Sequence, residues 1–176
     1  MKTTIIVLAV VVIAGGIYFW WGTNKNPVST AATSFDECIS QGNPVMESYP
    51  RQCRDKAGTL LKEDIGNELD KTNLIKITSP RPNQIISSPA TIKGEARGNW
   101  YFEASFPVKI LDQSGNQIGQ GIAQAKEDWM TENFVPFEAV IQFTKPITPK
   151  GFLILEKDNP SGLPEHDDRL IVPIKF

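Results

Sequence analysis

Residues 74–176 predict an all-β fold, a sandwich of about seven short strands. Three observations carry that expectation. Short β-rich runs alternate with clusters of Pro, Gly, Asn and Asp, as strands alternate with turns. Several runs show strict two-residue periodicity, with Trp100, Phe102, Ala104, Phe106, Val108 and Ile110 on one face and Tyr101, Glu103, Ser105, Pro107 and Lys109 on the other. No amphipathic helical pattern of ten or more residues occurs in this part of the chain.

The elements follow in chain order. Residues 1–22 read as a transmembrane signal anchor. Ile5 to Trp21 are seventeen uncharged, mostly apolar residues, and with Thr3 and Thr4 the run approaches the ~20 residues that cross a bilayer. "YFWW" at its end has the composition of an interfacial aromatic belt. Lys2 and the free amino terminus favour an inside N-terminus, which places the remainder outside the cytoplasm. A cleavable signal peptide would carry small residues where Phe19, Trp20 and Trp21 stand. Residues 23–34 are small and polar, a linker.

Residues 35–62 form a two-cysteine segment broken by Gly42, Pro44, Pro50 and Gly58. A short helix at Phe35–Ser40 is expected, capped by Ser34 with Glu37 in the third position. Cys38 and Cys53 are the only cysteines. An even pair in an exported chain predicts a disulfide, which staples a segment too small to own a large core. Residues 63–73 are charged and read as a second connector.

Strands are then expected near 74–79, 90–97, 101–111, 117–126, 137–144, 151–157 and 169–176. "DQSGNQ" at 112–117 is a hairpin turn, with Gly115 and Asn116 suited to positive φ. Pro107 has no ladder donor, so its strand is expected at an edge or with a bulge. The alternation of 100–110 continues downstream in Phe137, Ala139, Ile141 and Phe143, and again in Leu170, Val172, Ile174 and Phe176. Tyr101, of outward parity, and Trp129, between strands, are the candidate binding patch.

The stretches "SPRP" (79–82), "ARGNWYFEASFPV" (96–108), "AQAKEDWMTENFVPF" (123–137) and "NPSGLPE" (159–165) resemble the immunoglobulin-like domain of bacterial spore-germination proteins, often called Gmad2. The resemblance spans 74–176. It implies an immunoglobulin-like sandwich without established catalytic residues, and by resemblance alone a link to germination or sporulation. Asn83 stands where this pattern leads one to expect Gly.

Chemistry is sparse. The formal net charge is −2 with no basic stripe, which argues against nucleic acid. His166 is the only histidine, in a loop without a nucleophile motif, so neither a Ser-His-Asp arrangement nor a zinc site is expected. Gly115, Gly119 and Gly121 precede no helix and form no dinucleotide fingerprint. Glu156, Asp158, Glu165, Asp167 and Asp168 lack the spacing of an EF-hand loop and read as a solvated acidic turn rather than a calcium site. Catalytic residues, cofactor and metal are all expected to be absent. The sequence therefore predicts a non-catalytic, membrane-anchored binding or scaffolding protein of the cell envelope, whose partner is an envelope protein or glycan. The alternative is an envelope enzyme or a protease inhibitor built on the cysteine loop, with Arg51 beside Pro50.

Overall fold

The computed structural model describes residues 31–176. They fall into two compact units that divide between Lys62 and Glu63. Among the described residues no helix is long and apolar enough to cross a membrane. The expected anchor, residues 1–22, lies outside the described residues.

In the first unit, helix α1 (Phe35–Ser40) begins as its sequence dictates. The Ser34 hydroxyl accepts the Glu37 N–H at 3.2 Å, and the Glu37 carboxylate reaches back to the Thr33 N–H at 2.8 Å. Three very short strands follow, β1 (Val45–Met46), β2 (Gln52–Arg54) and β3 (Leu60–Lys62), ordered β1-β2-β3. They are too short to show a period, so sequence patterning missed them. Cys38 of α1 is bonded to Cys53 of β2. The disulfide sits within a small core of Ala32, Phe35, Cys38 and Cys53, with Ile39, Val45 and Leu61 packed against it. Buried Asp55 closes the unit by accepting the N–H groups of Ala32 (3.0 Å) and Thr59 (2.7 Å).

The second unit holds all seven expected strands: β4 (Ile75–Ser79), β5 (Ala90–Arg97), β6 (Ser105–Asp112), β7 (Gln117–Ala125), β8 (Phe134–Ile141), β9 (Lys150–Glu156) and β10 (Arg169–Lys175). Their hydrogen-bonded order is β10-β9-β6-β7-β8-β5-β4, antiparallel throughout. The ladder is thinnest between β7 and β8, where only Gln124↔Glu138 and Ala125↔Phe137 pair, with an isolated bridge at Gly119↔Phe143. There the sheet folds over on itself. Phe106 of β6 then meets Phe137 of β8 edge-on at 4.9 Å, although the two strands are not hydrogen-bonded neighbours. At the opposite margin, Ile85 beyond β4 bridges Lys175 of β10 in parallel. Between the layers lie Ile75, Ile77, Ile92, Phe137 and Ile141 from one side and Phe106, Val108, Ile110, Leu153, Leu155, Leu170, Val172 and Ile174 from the other. This is the burial that period-two patterning encodes.

Of the two alternatives for the Pro107 strand the structure takes the bulge, and one other expectation changes. Strand β6 is central, paired with β7 and β9, not an edge. Its ladder with β9 starts only at Val108↔Leu155, so the prolyl nitrogen of Pro107 falls beyond the ladder's end, and the bulge lies further on, at Ile110/Leu111. Residues 63–73, expected as a connector, belong to the compact sandwich unit. Helix α2 (Glu68–Lys71) contributes buried Glu68, ion-paired to Arg81 at 2.7 Å. Asn67 runs along the outer edge of β10: its N–H bonds the Ile171 carbonyl, its Oδ1 accepts the Ile171 N–H at 2.7 Å, and its Nδ2 bonds the Arg169 carbonyl. Asn83, Gln84 and Ile86 complete the cover through Pro173 and Lys175. An edge strand left bare invites pairing with other chains, and this one is capped along its length. Asn83 fits here in place of Gly because it takes φ +63, a left-handed conformation that Asn tolerates, while its amide donates to the Asp64 carbonyl at 2.7 Å.

Candidate functional site

The antiparallel registers bring three loops to one end of the sandwich. Loop 98–104 joins β5 to β6, loop 126–133 joins β7 to β8, and loop 157–168 joins β9 to β10. The strand ends beneath them are paired as Arg97↔Phe134, Ser105↔Gln124 and Glu156↔Arg169. Three of the stretches that carry the resemblance noted above supply these loops.

The loops are locked to one another through main chain. A Cβ at Gly98 would lie 2.0 Å from the Thr131 carbonyl oxygen and 2.2 Å from that of Trp129, so only glycine permits this approach. The Asp158 N–H bonds the Trp100 carbonyl at 3.0 Å. Arg97 donates to the Glu132 carbonyl at 2.8 Å and to the Asn73 carbonyl at 3.1 Å, with its guanidinium 4.2 Å from the Phe134 ring centre. Replacing Gly98 by Ala is expected to force loops 98–104 and 126–133 apart and to cost about 1–3 kcal/mol, the usual range for an overpacked site. Thermal melts and amide chemical shifts over both loops check this. A variant with unchanged shifts at Trp129 and Thr131 contradicts it.

The opening of β6 departs from the predicted parity. Gly98–Trp100 is a 3-10 turn, and β6 begins only at Ser105. Glu103 and Ala104 take φ +48 and +61. Phe102 and Ser105 exchange both backbone hydrogen bonds across them, at 3.0 and 3.1 Å. This is a two-residue turn whose central residues must both be left-handed. The turn separates the phase of 100–102 from that of the strand. Tyr101, expected to face outward as part of the binding patch, is 4 % exposed. Its hydroxyl donates to the Val135 carbonyl at 2.7 Å, and its ring lies 5.2 Å from that of Phe106. Burial holds the phenol far above the usual tyrosine range, and the negative charge of Glu95 adds to the effect. Phe102, expected inside, is 41 % exposed. Trp129, the other candidate, is half-buried and packed against the core. The exposed large apolar residue of its loop is the neighbour Met130, at 76 %, displayed on a turn closed by Asp128 Oδ1 and the Met130 N–H. The sequence signal for Phe102 and Met130 was absent, because Glu-Ala does not advertise a left-handed turn and Met reads as core.

A cleft of about 640 Å³ flanks this end, lined by Pro107, Glu156, Asp158, Asp168, Lys71 and Arg169 among others. It opens where β9 loses its ladder with β6. Three of its seven charged lining residues are ion-paired: Lys71 with Asp168 at 2.6 Å, and Glu156 with Lys109 outside the cleft at 2.7 Å. Asp167 accepts from Asn159 at 2.7 Å. Among the described residues no group of three or more His, Cys, Asp or Glu is placed to hold a metal ion. Ser161 Oγ lies 3.1 Å from His166 Nδ1 but donates to Asn159 Oδ1, and both residues are exposed.

In the cysteine unit, the Arg51 guanidinium sits over the Phe35 ring at 5.4 Å.

An immunoglobulin-like sandwich with interlocked loops at one end is the class of domain these residues build. The profile of the immunoglobulin-like domain of bacterial spore germination, Gmad2, matches residues 74–162, and the chain belongs to this family. No curated protein and no solved structure matches the chain.

Proposed function

We propose that this protein is a membrane-anchored, extracytoplasmic binding or scaffolding module of the bacterial cell envelope, without catalysis of its own. The observation that carries the proposal is the loop end: three loops fixed by their own main chains present Phe102 and Met130 to solvent. Large apolar side chains on a rigid scaffold favour recognition. The Cys38–Cys53 bond supports an exported location, since disulfides persist outside the reducing cytoplasm. The apolar run Ile5–Trp21 supports the anchor. The partner is an envelope protein or glycan, and the family supports a germination context.

Two measurements test this reading. Protein extracted from membranes is expected to have the intact mass of the uncleaved chain, and a mature N-terminus between residues 22 and 35 would overturn the anchor. A photo-crosslinker at Met130 is expected to capture a partner in intact cells, while one at exposed Gln120 on the sheet face captures none. Equal yields at both positions would remove the loop end as the binding surface.

A further inference from the structure

We infer that the loop end docks a cationic polypeptide segment, one that carries apolar side chains between its Lys or Arg residues. The inference rests on the binding reading above and names the partner's chemistry. Each of the three loops exposes one large apolar side chain: Phe102 at 41 %, Met130 at 76 % and Leu163 at 48 %. On preorganised loops such side chains act as anchors, because little ordering entropy is lost on contact.

The charge around them is predominantly negative. Loop 98–104 carries a single acid, loop 126–133 three acids and one base, and loop 157–168 four acids and one base besides neutral His166. The three loops therefore bear a formal −6 in a chain whose total is −2, and among the described residues Asp168 alone of their acids is ion-paired to a base outside them, Lys71. Acids on the sheet faces are neutralised by neighbours: Glu95 by Lys76, Glu138 by Lys93, Glu156 by Lys109. The loop acids Glu103, Glu127 and Glu132 have no such side-chain partner among the described residues. Their field is left for an incoming group. It draws cations and repels anionic lipid and nucleic acid. Apolar anchors with an acidic surround thus select a basic segment with interspersed apolar residues.

The test uses the full chain and a dodecapeptide of repeated Gly-Lys-Leu, followed by fluorescence anisotropy at physiological salt. The peptide is expected to bind, and its Glu-for-Lys counterpart is not. Affinity should fall about tenfold in E103Q/E127Q/E132Q and again in M130S/L163S, since a few residues carry most of an interface. Rising salt should weaken binding to the wild type more than to the triple Gln variant. Equal affinity of the triple variant, or equal binding of a Gly-Ser-Leu peptide, overturns the cationic partner. Self-association of the chain that the same Gln substitutions abolish also overturns it, in favour of a second copy. Crosslinking from Met130 in cells separates this from failure of the wider reading. A partner retained by E103Q/E127Q/E132Q sinks only the charge argument, whereas no crosslink at all sinks the binding module.

Discussion

Phe106→Ala is expected to destabilise the sandwich by about 3–5 kcal/mol, a large share of the ~5–15 kcal/mol that holds a domain together. The ring is fully buried and touches both Tyr101 and Phe137, so its removal opens a cavity between the two layers. Tyr101→Ala is expected to cause a loss of similar size. Outward parity would have made that change cheap, but the ring is core and its hydroxyl satisfies the Val135 carbonyl. Tyr101→Phe isolates the hydrogen bond and should cost about 0.5–1.5 kcal/mol. Urea midpoints with unchanged slopes measure all three. A Tyr101→Ala variant within about 0.5 kcal/mol of wild type, the range of ordinary surface changes, would place the ring outside the core.

Cys38→Ser with Cys53→Ser is expected to unfold residues 35–62 and leave the sandwich intact. The bond closes a separation of 15 residues, worth about 3 kcal/mol of chain entropy. Among the described residues the core around it holds only four buried residues, two of them the cysteines themselves. Small units of this kind depend on such staples. The sandwich has its own continuous core and is a separate compact unit. Hydrogen exchange should show 35–62 exchanging as unfolded chain while β5, β6 and β9 stay protected. Protection retained in 35–62, or lost in those strands, contradicts the expectation.

Strand existence was legible because burial on one face writes a two-residue period into the chain. Phe137, Ala139 and Ile141 face the core as their spacing implies, and so do Leu170, Val172 and Ile174. The helix at Phe35–Ser40 was legible from its Ser34 cap, whose hydrogen bond is local. The cysteine pairing followed from there being two cysteines and no others. The candidate site was read less well. Parity holds only while the chain stays extended, and the turn at Glu103–Ala104 resets it, which exchanges the fates of Tyr101 and Phe102. Nothing local marks that turn, since left-handed Glu and Ala are held by the reciprocal Phe102–Ser105 bonds rather than chosen by their own preference.

Strands, cap and hairpin turn are set by neighbours a few residues away, and the disulfide by there being two cysteines. Features that depend on partners far along the chain emerge only on folding. Residues 63–73 look like a charged connector until Asn67 meets Ile171 across 104 positions. Pro107 looks like an edge residue until the β9 ladder is seen to stop beside it. Gly98, Trp129 and Asp158 come together only when the antiparallel registers stack their loops at the same end. Local propensity acts over a few residues, whereas register and layer closure are set by the whole buried core. The loop end of this protein was therefore a product of folding that no single stretch of the chain announces.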